Sequence, residues 1–393
     1  MSAAPEREAG DGALRELVQA ARAAGRFALD TEFMGEGRYR TLLCLVQLAT
    51  PQAAGMAERI EVLDPLAPEI DPAPLAAILA DAHMQVVVHA GRQDVALVRR
   101  RFGCEVRNVF DTQVAAGFAG LGAQSSYESL LAELLGVRIA KSASFTRWDT
   151  RPLTAEQRAY AREDVVHLLE LAAELERRLV ALGRLQWALE ECEALELVSD
   201  ERDPQVIFER LPRVRGLSAS ARPVARELVL WRERVAARQD RPVQSILSDP
   251  ALMEIARRKP ASRSELEHIR GAQGSVRRRA QELLEAVELG RARPPEAAPE
   301  TARTPHPRPE DAPLVALAET LVRAHAVRAG IAYELIASRS DLQAIVTSRR
   351  QDSSEPDVRV LRGWRRELVG EELLRLLEGR VSLSIADGEV RIA

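Results

Sequence analysis

Apolar positions along the chain change their period several times. Between Arg26 and Leu63 they fall in short runs with strand character: Arg26 to Thr31 (RFALDT), Thr41 to Ala49 (TLLCLVQLA) and Ile60 to Leu63. Pro74 to Asp81 has helical spacing, Gln85 to His89 (QVVVH) is again a short buried strand, and helical patterns dominate from Asp94 onward. Strands interleaved with helices predict an α/β domain with a mixed sheet.

Prolines interrupt the pattern in two places. Arg291 to Pro313 carries seven of the chain's 21 prolines, and a stretch so short of backbone donors reads as an extended linker over residues 291–313. A softer break lies near Asp203 to Ser218, where Pro204, Pro212 and Gly216 interrupt the helical period. Three units follow: residues 1–205, 213–290 and 314–393. The second and third are helical almost throughout. Only Val381 to Ile392 has strand character, with Asp387-Gly388 as a hairpin turn.

A hydrophobic content of 46% supports packed cores, and a formal charge of -4 from 55 basic and 59 acidic residues excludes a uniformly basic coat. The balance changes region by region. Between Arg213 and Arg293 there are 18 basic and 10 acidic residues, so this stretch is +8 and the remainder -12. Its triplets Arg257-Arg258-Lys259 and Arg277-Arg278-Arg279, preceded by Arg232, Arg234, Arg238 and Arg241, form a candidate phosphate-binding surface. Taken singly, these arginines read as solvated helix faces, and Trp231 reads as core. Three cysteines, Cys44, Cys104 and Cys192, are too dispersed for a disulfide framework or a zinc cluster. Met1 to Gly12 is polar, without an apolar secretory core, and no run reaches the roughly 18 to 20 apolar residues of a membrane span. A soluble, cytoplasmic, monomeric protein with no membrane contact is expected.

Candidate chemistry comes in three pieces. Asp30-Thr31-Glu32 ends the first strand, and the two-residue alternation of a strand puts both carboxylates on one face. Paired acids repel unless a cation lies between them, and hard divalent ions take such oxygen ligands. His89-Ala90-Gly91-Arg92-Gln93-Asp94 follows a buried strand, with Asp94 in the first turn of the helix Val95 to Arg101. Thr154-Ala155-Glu156-Gln157 matches a capping box, and the helix it starts carries Tyr160 and Asp164 on one face, opposite an apolar stripe from Val165 to Leu175. Taken alone, the first piece reads more readily as a solvated strand end and the second as a helix-start acid, while the third has a bland reading with Tyr160 a boundary aromatic and Asp164 a surface charge.

Taken in order, FALDTEFMGEGRYRTLLCLVQLA, VVVHAGRQDVALV and YAREDVVHLLEL resemble the three motifs of the DEDD-type 3′→5′ exonucleases of ribonuclease-H-like fold, in the tyrosine-bearing subgroup. The spacing, with Val109-Phe110-Asp111-Thr112-Gln113 between motifs, is similar to that of the ribonuclease D family. The histidine subgroup has its His where Ala159 stands here, and His167 lies on the wrong side to replace it. Lys141-Ser142 through Thr146-Arg147-Trp148 resembles the segment before the third motif, except that Arg147 stands where the family has Asp, with Asp149 following. Asp111 reads as a helix N-cap. LSASARPVARELVLWRERVAARQDRPVQSILSDPALMEIARRKPASRSELEHIRG resembles an HRDC domain, a helical nucleic-acid-binding or docking module. Residues 314–393, with Gly363-Trp364-Arg365, resemble a degenerate second copy.

The resemblance implies a ribonuclease-H-like exonuclease domain followed by two small all-α HRDC-type domains. It implies two divalent cations, Mg²⁺ or Mn²⁺, held by Asp30, Glu32, Asp94 and Asp164, with Tyr160 positioning the attacking water. RNA 3′ ends are the implied partner, tRNA precursors among them. A DNA exonuclease with the same site and a silent RNA-binding scaffold are the alternatives; the absence of helicase motifs favours RNA, and the complete set of five site residues opposes the scaffold.

Overall fold

The computed structural model describes residues 11–51, 59–68, 70–139, 147–297, 308–351 and 354–393. Five strands, β1 (Arg26–Met34), β2 (Leu42–Thr50), β3 (Arg59–Leu63), β4 (Gln85–Val88) and β5 (Val109–Asp111), form a sheet in the order β3-β2-β1-β4-β5. β1 pairs antiparallel with β2, and β2 with β3; β1 pairs parallel with β4, and β4 with β5. The sheet is mixed, as the alternation of elements predicts.

Alternation along β1 sorts its residues between two cores. Phe27 and Leu29 pack with Leu14, Leu17, Leu79 and Val95 of the helices Asp11–Ala24, Ala73–Leu79 and Arg92–Phe102. Ala28 packs on the other side with Val165, Leu168 and Leu171, from the helices Ala155–Val166 and Leu168–Ala181. Asp30 and Glu32 share that second side by strand parity. Helix Asp11–Ala24 is not among the expected elements, although Leu14, Leu17, Val18 and Ala21 bury at helical spacing. Nor is β5, because three residues are too few to establish a period.

Pro204, read as part of a break, opens the helix Pro204–Glu209, and Asp203 caps it through Gln205 N–H (2.8 Å). Phe208 of this helix joins the core of the second unit with Leu211, Val214 and Leu217. That unit consists mainly of the helices Arg222–Gln239, Val243–Ile246, Asp249–Arg258, Arg263–Glu267 and Gln273–Ala292. Trp231 is buried, as expected, and its indole N–H donates to Glu282 Oε2 (3.0 Å).

Arg232 departs from expectation. It is 1% exposed and donates to Asp249 Oδ1 (2.6 Å) and the Leu247 carbonyl (3.0 Å), so it belongs to the core and not to a basic surface. Its apolar stem lies within the core, while its charge is met at the start of helix Asp249–Arg258. Arg232→Ala is expected to destabilise the protein by about 3 kcal/mol in urea unfolding, the lower end of the range for breaking a buried pair because Asp249 keeps some solvent. An unchanged unfolding midpoint would contradict this role.

The expected linker is shorter than its prolines indicate. Helix Gln273–Ala292 runs into it, and helix Asp311–Ala329 begins inside it with Pro313 in its first turn, where a missing N–H costs no intrahelical bond. Residues 298–307 lie outside the described residues. The third unit continues with the helices Tyr333–Ile336, Arg339–Arg350 and Glu371–Leu377, and ends in a hairpin of β6 (Leu383–Ala386) and β7 (Glu389–Ile392). Asp387 and Gly388, at φ 55 and 81, form the expected turn.

This third unit shares a core with the first. Trp364 lies edge-on to Phe118 (4.9 Å between ring centroids) and stacked on Trp187 (5.4 Å), and Val315, Leu321 and Ile345 join the same cluster. Arg365 pairs with Glu191 (2.6 Å). Among the described residues, no helix is long and apolar enough to cross a membrane.

Candidate active site

Asp30 and Glu32 stand on one face of β1, opposite Gln47 and Leu45 of β2. Helix Ala155–Val166 lies against this part of the sheet, started by the expected capping box: Thr154 Oγ1 accepts from Gln157 N–H (3.1 Å), and Gln157 Oε1 accepts from Thr154 N–H (2.9 Å). Ala161 and Val165 bury completely. The flanking positions, Tyr160 and Asp164, come within electrostatic reach of Asp30 and Glu32. Asp94 arrives from a different element, in the first turn of helix Arg92–Phe102. It is buried, and the Thr31 hydroxyl donates to its Oδ1. Thr31 lies between the two acids on the opposite face of β1, and this anchoring role is not legible in the motif.

The turn before Asp94 is fixed by Asp111. Its Oδ1 accepts from Ala90 N–H (3.0 Å) and caps the next helix at Gln113 N–H (2.8 Å), while its Oδ2 accepts from Gly91 N–H (2.8 Å). A Cβ on Gly91 would meet the Val88 side chain at 2.4 Å, so the chain can turn here only with glycine. Asp111 is an N-cap, as expected, and also a clamp on the Asp94 turn. His167 ends helix Ala155–Val166 and its Nδ1 lies 3.6 Å from Glu170.

The first motif and the helical modules meet near the third. Arg38 pairs with Asp149 (3.4 Å) and with Asp240 of the second unit (2.7 Å), and Tyr39 donates its hydroxyl to Glu233 (2.9 Å). Arg147, the departure from the family pattern, pairs with Asp149 (3.0 Å) and is itself exposed. Trp148 is buried beside Tyr160, with ring centroids 5.9 Å apart. Lys141 to Thr146 lie outside the described residues.

Burial raises the proton affinity of all four acids, and neighbouring acids add to it. Burial, then Asp94, Asp164 and Glu32, hold Asp30 well above the usual carboxylate range. Burial, then Asp164 and Asp94, raise Glu32 to about 8. Burial lifts Asp94 to about 6 against the opposing Thr31 hydrogen bond, and burial with Glu128 and Glu163 lifts Asp164 to about 7. Burial and the neighbouring acids push the Tyr160 phenol upward as well. Such a set of hard oxygen donors suits divalent cations of the Mg²⁺ or Mn²⁺ kind. Among the described residues, no three His, Cys, Asp or Glu side chains stand as a ready-made ion cage.

A pH dependence follows from these shifts. Carboxylates raised in the fold keep protons that the unfolded chain releases from about pH 4 upward. The cation-free fold therefore loses stability as pH rises from about 4 to 8, and has lost all of this contribution above the highest folded value. The melting temperature in chelator is expected to fall on the order of 5 °C between pH 5 and pH 8, and Glu32→Gln to flatten that fall. Added Mg²⁺ should restore most at pH 8. Identical pH profiles for Glu32→Gln and the parent would contradict the shifts.

The basic triplets are not equivalent. Arg257 and Arg258 are exposed but share Glu254, at 3.9 and 2.6 Å, and Lys259 Nζ donates to Ser220 (2.7 Å). Arg277 and Arg278 are exposed and Arg279 half-buried at a kink, and among the described residues these three have no acidic partner.

A 3′-5′ exonuclease family model matches residues 10–180, and an HRDC domain model matches residues 221–287. Ribonuclease D of Gluconacetobacter diazotrophicus is 38% identical over 382 residues, covering 96% of this chain and 94% of that protein. Ribonuclease D of Granulibacter bethesdensis is 37% identical over 371 residues, covering 93% and 90%. The crystal structure of Escherichia coli RNase D, described as an exoribonuclease involved in structured RNA processing, is similar with a TM-score of 0.79 at 29% identity. It covers 95% of this chain and 98% of that one.

Proposed function

The chain belongs to the ribonuclease D family, and from that membership we propose that it trims the 3′ ends of structured RNA, tRNA precursors among them, in the cytoplasm and as a monomer. It is a hydrolytic 3′→5′ exoribonuclease with an exonuclease domain of ribonuclease-H-like fold and an HRDC domain. The observation that carries the site assignment is the convergence of buried acids from three elements: Asp94 and Asp164 lie close enough to Asp30 and Glu32 to raise the proton affinity of both, on top of burial.

In this reading Asp30, Glu32 and Asp164 hold two divalent cations and Asp94 completes the set. When bound, such a pair supplies an activated water and neutralises the departing oxygen of the phosphodiester. Tyr160 keeps its proton and orients the attacking water by hydrogen bond, with Trp148 packed beside its ring. Thr31 and Asp111 fix Asp94 and the turn that carries it.

Arg277, Arg278 and Arg279, and more weakly Arg257, Arg258 and Lys259, are proposed RNA-backbone contacts. What supports the first triplet is its lack of acidic partners among the described residues. Arg277→Ala with Arg278→Ala is expected to weaken RNA binding and flatten the slope of log K against log salt by about 2. An unchanged slope would remove these residues from the interface. The third unit is proposed as a second HRDC-like module. Its helices Asp311–Ala329, Tyr333–Ile336 and Arg339–Arg350 repeat the long, short and medium order of Arg222–Gln239, Val243–Ile246 and Asp249–Arg258.

The test of substrate uses 3′-labelled tRNA precursor and DNA, each with Mg²⁺ or chelator. Cation-dependent release of 5′-mononucleotides from RNA alone is the expected result. Equal release from DNA would make the enzyme a general exonuclease, and binding without release would make it a scaffold.

A further inference from the structure

Gln47 lies in the middle of β2 at 0% exposure, and neither its Oε1 nor its Nε2 has a hydrogen-bond partner among the described residues. A buried carboxamide without partners is destabilising, because the water it lost on folding is not replaced. The positions around it on that face, Leu45 and Ala49 of the same strand and Ala161 and Val165 of the helix above, are fully buried and apolar. A leucine or methionine would fill such a layer without an orphaned amide. The folding of the sheet gives no reason for a glutamine here.

The register supplies one. Gln47 is directly opposite Asp30 across the antiparallel pair of β1 and β2, and both side chains leave the sheet on the same face. Directly opposed side chains in such a pair are near neighbours, with Cβ atoms about 5 Å apart. Asp30 is the carboxylate that feels the other three acids together. A carboxylate offers more lone-pair positions than cation ligation uses, so one donor can bind its outer oxygen and fix the ligating one.

We propose that Gln47 is a positioning residue for cation binding, its Nε2–H donating to the Asp30 carboxylate when the four acids close around their cations. This rests on the reading of those acids as cation ligands. The carboxamide has the reach and the donor, and the apolar layer around it leaves that carboxylate as its natural partner.

The experiment titrates the whole protein with Mn²⁺ by calorimetry, alongside chelator-treated melting curves. Gln47→Met retains length and burial and removes the donor; Gln47→Leu is the second variant if the first folds poorly. The expected result is a loss of about tenfold or more in Mn²⁺ affinity, the usual scale for a partner of a metal ligand, with an unchanged or higher cation-free melting temperature. A purely structural glutamine would move the melting temperature and leave Mn²⁺ affinity as in the parent, and that outcome would overturn the proposal. So would unchanged affinity with an ordered water on the Gln47 amide. Asp30→Asn separates the two levels of inference. If it loses Mn²⁺ binding while Gln47→Met does not, only the role of Gln47 fails; if Asp30→Asn binds Mn²⁺ like the parent, the site reading fails as well.

Discussion

Asp30→Asn should leave a folded protein without detectable turnover. Asp30 sits at the electrostatic centre of the candidate site: Asp94, Asp164 and Glu32 all act on it, on top of its burial. Removing its charge takes away the carboxylate on which the other three all act, and in the proposed two-cation reading that carboxylate helps hold both ions at fixed separation. The same substitution relieves repulsion in the cation-free fold, so its melting temperature in chelator should rise. The two effects have opposite signs, which separates a damaged site from a damaged fold. Mononucleotide release from 3′-labelled RNA, measured with the melting curve, checks both. Residual activity near the parental level in a folded Asp30→Asn protein would remove the site assignment, and Asp164→Asn is expected to behave in the same way.

Tyr160→Phe is expected to slow turnover by about 10²- to 10⁴-fold, the scale for a positioned proton-handling group, while substrate binding changes little. The phenol is unsuited to act as a base. Its ordinary value lies near 10, and burial with Asp164, Glu32 and Asp30 moves it further up. The hydroxyl is therefore expected to stay protonated through the working range, and in the proposed role it contributes direction, not an ionisation. A Phe ring keeps the contact with Trp148 and the fold of helix Ala155–Val166. The sensitive readout is the pH–rate profile. Parent and variant curves should run parallel, displaced in rate; loss of an ionisation in the variant would make Tyr160 a true acid–base group.

Much of this site is legible in the amino-acid sequence. The period-two alternation of β1 puts Asp30 and Glu32 together, the capping box at Thr154 starts the third-motif helix, and the four-residue step from Tyr160 to Asp164 fixes their shared face. These are local rules of strand and helix geometry, and they need no tertiary information. The supports are not legible in the same way. Thr31 anchors Asp94 on its own side of the sheet, and Asp111 grips the turn at Ala90 and Gly91. Both contacts join residues far apart in sequence, and threonine and aspartate at such positions have many other uses.

The same division runs through the whole chain. Strand and helix periods, proline placement and charge by region establish a mixed α/β unit, helical modules after it and a family resemblance carried by ordered motifs. Those properties depend on neighbours along the chain. Which arginine is surface and which is core did not follow from them: Arg232 and Arg277 are alike in sequence, yet one is sealed against Asp249 and the other is exposed. Nor did the union of the third unit with the first through Phe118, Trp187 and Trp364. The burial of Gln47 opposite Asp30 belongs with them. Burial and pairing are properties of surfaces brought together by folding, so only the packed molecule decides them.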